Sequence, residues 1–400
     1  MATTRTIIVA GAGIGGLTAA LALAAQGFRI VVLEKAGRVE EIGAGLQLSP
    51  NASRILTALG LHEAVAARAL APDAVSLMSA RAGGEIARLP LGEAAALRAG
   101  APYWVMHRAD LQSVLLAAVR ATPDIELRLG HQFEDAAPHA NGVTVSARHD
   151  VDREHVNGLA LIGADGVWSA VRHRMFPNVQ PRFSGLIAWR GTIDARRLPR
   201  EMAPTRVQIW MGPNAHIVVY PIASGRRINV VAITRGDWNR PGWTAAAGAA
   251  DIQALLSAGW PMAARTTLDA VEQLTRYALF TMPDGGLWND GPTTLLGDAA
   301  HAMLPFAAQG AGMAIEDAAV LAKCIGPFNA ATTPTSVAAS LATYAGQRRG
   351  RVARVQRAAR QSGAIYHLRG PLALARDLAI RALGGQRLLA RQDWIYDWRR

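Results

Sequence analysis

The chain has 400 residues, half of them hydrophobic and 18% charged, with a formal net charge of +12. That length suffices for two or three domains with cores of their own, and the composition excludes a disordered chain. One cysteine, Cys324, excludes an internal disulfide, and no apolar run reaches the roughly 18 residues that a bilayer span requires. A strand at the very start leaves no room for a signal peptide, so a cytoplasmic protein without a transmembrane segment is expected. Every basic residue except Lys35 and Lys323 is arginine. Such a field attracts anionic small molecules, and with no recognition motif beside it no specific nucleic-acid partner is expected.

The first thirty-five residues set the organisation. Arg5 to Ala10 is a short β-branched run, read as a strand. It leads into Gly11-Ala12-Gly13-Ile14-Gly15-Gly16, a G-x-G-x-x-G turn followed by a helix through Ala25. Gly11 permits the tight turn, Gly13 lets backbone approach a pyrophosphate, and Gly16 lets helix and strand pack closely. The helix aims its N-terminal amides at that phosphate. A second strand, Arg29 to Leu33, delivers Glu34 and then Lys35; the carboxylate is placed to accept hydrogen bonds from ribose hydroxyls. The unit predicts a dinucleotide site without choosing between FAD and a nicotinamide.

Next comes a glycine loop, residues 41–51, before a helix starting near Asn51. Segment 71–104 alternates like strands, with Gly83-Gly84 as a hairpin turn. Segment 107–121 reads as an amphipathic helix with Asp110 near its start. Strand patterns return at 125–129 and 143–148, then an apolar run ends in Gly163-Ala164-Asp165-Gly166, with Ser169 and Arg172 following. From 183 to 235 short strands parted by turns predict an antiparallel sheet, and Val271 to Thr281 is taken to lead back to the first domain. A strand at 293–296 feeds Gly297-Asp298, and a helix follows over 311–324 that carries Cys324 as a buried structural thiol. Beyond Ala330 the pattern is helical and arginine-rich, with breaks at Gly370-Pro371 and Gly384-Gly385. The fold class expected is α/β: a Rossmann-type parallel sheet, an antiparallel-sheet domain and C-terminal helices.

Three separated stretches act together: the turn at 11–16, the Asp165-Gly166 segment, and Gly297-Asp298-Ala299-Ala300-His301 with Gln309-Gly310-Ala311-Gly312. In this set and order the chain resembles the single-component FAD-dependent aromatic hydroxylases, over nearly its whole length. The resemblance implies a discontinuous FAD-binding domain over 1–70, 105–180 and 275–325, a substrate domain over 71–104 and 181–274, and a helical region over 326–400. It implies FAD contacts from Gly11, Gly13, Ile14, Gly15, Gly16, Glu34 and Lys35, with Arg108 on the cofactor backbone and Asp165 near the pyrophosphate. Asp298 would receive the ribityl chain, while Gly310, Ala311 and Gly312 would turn helix amides toward the flavin. No metal is called for.

For the substrate side, Ala215 to Ile222 read as a strand puts His216, Val218 and Tyr220 on one face, the histidine and tyrosine roughly 13 Å apart. This His-x-x-x-Tyr spacing resembles the members that hydroxylate 3-hydroxybenzoate and 6-hydroxynicotinate, where the pair binds and deprotonates the phenol. His216 and Tyr220 are therefore the catalytic candidates, and Gln47, Trp189, Gln208, Pro305 and Phe306 the pocket candidates, with Arg190 alongside. Gln47 and Phe306 stand where nicotinate-type members carry histidines, and Pro305 where some hydroxybenzoate members carry glutamine. The implied reaction uses NADH or NADPH and O2 to hydroxylate a phenolic aromatic acid such as a hydroxybenzoate or salicylate. The alternatives are a flavin reductase or oxidase on an isoprenoid-like substrate, and a non-catalytic flavin protein at a membrane surface. A solvated helical face with a homodimer contact is the plainest account of the C-terminal arginines.

Overall fold

The protein, analysed as a computed structural model, is described over residues 5–38, 45–198, 205–240, 242–248, 251–252 and 260–399. The first part of the glycine loop expected at 41–51, residues 41–44, lies outside them.

A six-stranded sheet runs in the order Asn289–Asp290, Thr293–Leu295, Ala160–Gly163, Thr6–Ala10, Arg29–Glu34, Ile125–Leu129. All its pairs are parallel except the two-residue edge strand, which runs antiparallel. Ile7 to Ala10, Ile30 to Leu33 and all of Ala160–Gly163 are buried, the near-continuous apolar pattern of strands covered on both faces. Helix Ile14–Ala24 packs on helices Arg108–Ala121 and Gly310–Ile325. A separate three-stranded antiparallel sheet, His131–His139, Gly142–His149 and Asp152–Gly158, adds Phe133, Val143, Val145 and Val156 to the same core. It connects Ile125–Leu129 to Ala160–Gly163, where an ordinary crossover would be a helix.

The second large sheet has eight strands in the order Thr244–Ala247, Gln273–Thr281, Arg182–Asp194, Arg227–Arg235, Ala215–Ile222, Val207–Gly212, Ala74–Ser79, Gly84–Pro90. Strand Gln273–Thr281 pairs with Arg182–Asp194 in this sheet. The expectation that residues from 275 onward belong with the first domain is therefore corrected at this strand, and the return comes after Thr281. Segment 71–104 is also more mixed than expected: Glu93–Ala99 is a helix, built from good helix formers and closed by Gly100 at φ +71°. Trp104–His107 pairs with Gly45–Leu48 as a small ribbon between the two sheets.

The C-terminal region begins with the long helix Pro334–Tyr366, opened by Pro334 and a capping box between Thr333 and Ser336. Helix Gly370–Ala390 follows, kinked at Gly384, and a short turn of helix, Asp393–Tyr396, comes last. Most of its arginines are exposed, as expected of a solvated face, but Arg348 and Arg376 are buried and Arg351 is half-buried. Arg348, Arg351 and Arg354 lie over the rings of Trp398 and Trp394, Arg376 pairs with Asp377 at 2.8 Å, and Arg360 pairs with Asp284. Arg54 donates to the carbonyls of Trp398 and Tyr396, fixing the tail to helix Pro50–Ala58.

Candidate active site

A cleft of about 290 Å³ opens where the two large sheets face each other. At its cofactor end Gly13, Ile14 and Gly15 line the wall, with Ala164, Gly166, Gly297, Asp298, Gly310 and Ala311. The glycines divide their work. A Cβ on Gly16 would stand 2.0 Å from the Gly11 carbonyl oxygen, and Gly11 itself has φ +104° with Ala164 against it, so both are needed to bring helix, turn and strand together. At Gly13, Gly166 and Gly310 no neighbour among the described residues lies within 4 Å of a would-be Cβ. These are openings onto the cleft, and bare backbone there suits a dinucleotide pyrophosphate at one end and a flavin at the other.

Glu34 ends its strand beneath this turn and accepts from the Ala12 amide at 2.8 Å and the Ala36 amide at 2.9 Å. Its carboxylate is thereby oriented while keeping lone pairs for a ribose. Lys35 is exposed just beyond. Arg108, the first residue of helix Arg108–Ala121, lines the cleft, and His107 caps that helix by accepting from the Ala109 amide. Asp165 caps a helix through one of its two carboxylate oxygens. Its Oδ2 accepts from the amides of Ala170 and Val171, capping helix Ala170–Met175 beside Ser169, while Ala164 and Gly166 on either side face the cleft. Burial pushes the Asp165 carboxyl up. Arg172 reaches from that helix to the Ala299 carbonyl at 2.8 Å and the Val167 carbonyl at 2.7 Å, joining the two cofactor loops.

Gly312 is buried away from the cleft and packs on Gln309, which donates to Ser49 Oγ at 2.7 Å. Beneath this helix start lies a network that the motifs do not announce. Asp317 accepts from the Gly297 amide at 3.1 Å, from His301 Nε2 at 2.5 Å and from Arg348 Nε at 2.6 Å. Glu316 accepts from Asn51 at 2.7 Å and pairs with Arg348 at 2.8 Å and Arg351 at 2.6 Å. Burial opposes the Asp317 charge, but His301 and Arg348 outweigh it and hold the carboxyl at about 2. Through Gly297 this buried charge fixes the backbone that presents Asp298 to the cleft. The available signal was an acidic pair inside an otherwise apolar helix, matched by Arg348 and Arg351 on the next helix.

The opposite wall is built by one face of the eight-stranded sheet. His216, Val218 and Tyr220 all line the cleft, as strand alternation requires, with Arg190, Val231 and Ile233 from the neighbouring strands. His216 is buried among the rings of Phe306, Tyr366 and His367, and its Nδ1 lies 2.8 Å from His367 Nε2. Burial, and then His367, drive the His216 imidazole well below the usual histidine value. His367 comes from the C-terminal region and is absent from every motif. Tyr220 packs on Gly45, where a Cβ would stand 2.6 Å from the ring, and burial raises its hydroxyl despite help to the anion from Arg190, Asn229 and Gln47. Gln47 lines the cleft and accepts from Tyr103 at 2.5 Å.

Arg190 lies at the junction of the two walls, over the Tyr277 ring. Among the described residues it makes no ion pair, and burial followed by Arg108 lowers its pKa while Tyr220, Tyr277 and Asp298 oppose that. Pro305 lines the cleft and Phe306 backs His216. Three expected pocket residues do not line the cleft, Phe306 among them, which lines a second groove instead. Trp189 alternates to the other face from Arg190, where it is buried in a second core and donates to Thr234 Oγ1 at 2.9 Å. Gln208 accepts from Trp210 Nε1 at 3.1 Å and takes no part in the cleft lining.

Comparison with known proteins agrees with this geometry. Residues 3–359 match the family model described as FAD binding domain. The 3-hydroxybenzoate 6-hydroxylase of Polaromonas naphthalenivorans is 35% identical over 98% of this chain and 96% of that protein. A 3-amino-4-hydroxybenzoate 2-monooxygenase of Streptomyces platensis is 36% identical over 98% of this chain and 95% of its own. Among solved structures, a salicylate hydroxylase substrate complex superposes with a TM-score of 0.83 at 25% identity, covering 100% of this chain and 97% of that one. With the glycine turn, the Asp298 loop and the open helix start in one cleft, the chain belongs to the FAD-dependent aromatic-ring monooxygenases, flavoenzymes that draw on NADH or NADPH.

Proposed function

We propose that this protein hydroxylates a phenolic aromatic acid, with His216 removing the phenol proton and Arg190 receiving the carboxylate. The observation that carries the reading is the placement of a single neutral imidazole on the cleft wall, in the same cleft as an arginine that lacks an ion pair among the described residues. Bound FAD, reduced by NADH or NADPH, supplies the transfer of one oxygen atom from O2 to the ring. Such transfer is electrophilic, so the ring must be made electron-rich. A free phenol with a pKa near 10 is ionised to only about one part in a thousand at pH 7. A base at hydrogen-bond distance, with the positive charge of Arg190 in the same cleft, raises that fraction against the opposing cost of burial.

His216 is suited to the task because Nδ1 is engaged with His367, which leaves Nε2 for a ligand in the cleft. Its depressed pKa keeps it unprotonated well into acid. Tyr220, by contrast, stays protonated through neutral pH and acts as a hydrogen-bond donor that orients the ring, not as a base. Asp298, Gly310 and Ala311 hold the flavin end, Glu34 the adenosine ribose, and Gly13 the pyrophosphate. Phe306 and Pro305 exclude water from the apolar side.

The test is to purify the protein, record the flavin spectrum, and screen phenolic aromatic acids for those that accelerate NADH or NADPH oxidation with formation of a hydroxylated product. A phenolic acid giving product in near-stoichiometric yield is the expected result. Acceleration with hydrogen peroxide as the only product for every acid tried would overturn the reading.

A further inference from the structure

We propose that His367 carries the phenol proton onward from His216 to an open, arginine-lined groove on the far side of the cleft wall. The inference rests on the reading of His216 as the base and assigns a function to a residue outside every motif.

The flavin cleft is lined by His216 and not by His367, whereas a second groove is lined by His367 and not by His216. The two imidazoles, 2.8 Å apart from Nδ1 to Nε2, are thus the connection through the wall. Apolar material surrounds them: Phe306 lies beside both rings and Tyr366 beside His216. A proton taken from the substrate by His216 has the His367 ring nitrogen within hydrogen-bond distance on the other side of the same imidazole.

The charged groups on the groove side disfavour a proton resting on His367 and so favour its release to the groove. On the groove side stand Arg235 from strand Arg227–Arg235, Arg360 from helix Pro334–Tyr366 and Arg369 just before the next helix. Arg360 is paired with Asp284. Burial and then Arg235 lower the His367 imidazole to about 4, so it passes a proton on without retaining it. The His367 carbonyl accepts from the Asn214 amide at 3.2 Å, holding the ring in line. The balance is simple. The phenol O–H breaks and His216 Nε2–H forms; His216 Nδ1–H breaks and His367 Nε2–H forms; His367 Nδ1 then releases its proton to groove water. The phenolate remains in the cleft and no electron changes hands.

The test uses the full chain loaded with oxidised FAD, without NADH, and an active phenolic acid from the screen. Stopped-flow absorbance in the phenolate band reads the rate of ionisation on binding, separately from turnover. In His367→Ala that rate is expected to fall about ten- to a hundredfold, with FAD content and phenol affinity kept, and added imidazole entering by the open groove restores it. His367→Gln, which keeps a hydrogen bond to His216 but cannot relay, shows the same loss. It also shows an acid limb moved up only slightly, because burial, the larger cause of the lowered His216 value, remains when His367 is gone. Wild-type rates in both variants would overturn the relay alone. So would a slow rate that imidazole leaves unchanged. A wild-type protein that binds the phenol without ionising it would remove the base role of His216 and the relay together.

Discussion

The buried pair Glu316 and Asp317 offers the most exacting test of how the cofactor loops are held. Asp317 is fully buried, with its carboxyl at about 2 against an ordinary 3.8. A carboxylate whose folded pKa is depressed stabilises the fold above its unfolded value and loses that contribution as pH falls through the folded one. At about 1.4 kcal/mol per pKa unit this amounts to about 2 kcal/mol, present above pH 4 and lost toward pH 2. Asp317→Asn removes the charge at every pH and leaves Arg348 short of one partner in the interior. Breaking one side of a buried ion pair costs about 3–5 kcal/mol. Glu316 still faces Arg348 at 2.8 Å, which places the expected loss near the lower end, about 3 kcal/mol. Urea denaturation of wild type and variant at pH 7 reads this directly. Asp317→Ala also deprives the Gly297 amide of its acceptor, so FAD affinity falls further there than in the asparagine variant. A loss below about 1 kcal/mol in Asp317→Asn would refute the reasoning, since a buried charge would then have been removed without consequence.

Three further outcomes follow from the same geometry. At Gly13 an added Cβ meets no neighbour within 4 Å among the described residues, so Gly13→Val is expected to fold normally while losing FAD; Gly16→Ala places a Cβ 2.0 Å from the Gly11 carbonyl and is expected to lower thermal stability. Melting temperature and flavin content, measured together, separate the two. Tyr220→Phe keeps the ring that packs on Gly45 and loses one hydrogen bond, so substrate affinity falls by about 1 kcal/mol with FAD binding unaltered, checked by equilibrium titration. Substrate ionisation in the wild type persists below pH 6.5, because the neutral form of His216 survives there; an acid limb at or above that value, in the pH profile of product formation, would contradict its burial.

Much of the frame was readable in the chain because the signals are local. The strand, glycine turn, helix and acid at residues 5–34 are specified by neighbours a few positions apart, and so are the breaks at Gly370 and Gly384. Strand alternation at 215–222 put His216 and Tyr220 on one face, and both line the cleft. The same alternation, applied to strand Arg182–Asp194, separates Trp189 from Arg190, so a period of two allows only one of them to face the cleft. Asp165 and Gly312 lie within motifs that reach the cleft, yet their side positions serve helix capping and packing. Lone helix-capping acids and cofactor-facing acids look alike in sequence. His367 could not be anticipated, because its meeting with His216 spans 151 residues and depends on how the long helix Pro334–Tyr366 crosses the wall. Most C-terminal arginines do lie exposed; Arg348 and Arg351 depart from that reading because their partners, Glu316, Asp317 and Trp398, are distant in the chain.

The most direct measurement is the ultraviolet difference spectrum of an active phenolic acid bound to the oxidised, FAD-loaded protein at pH 7, in wild type and in His216→Ala. The account predicts a phenolate band in the wild type and its loss in the variant, with the ring still bound as the neutral phenol and product formation reduced about a hundredfold or more. An undiminished phenolate band in His216→Ala would contradict it.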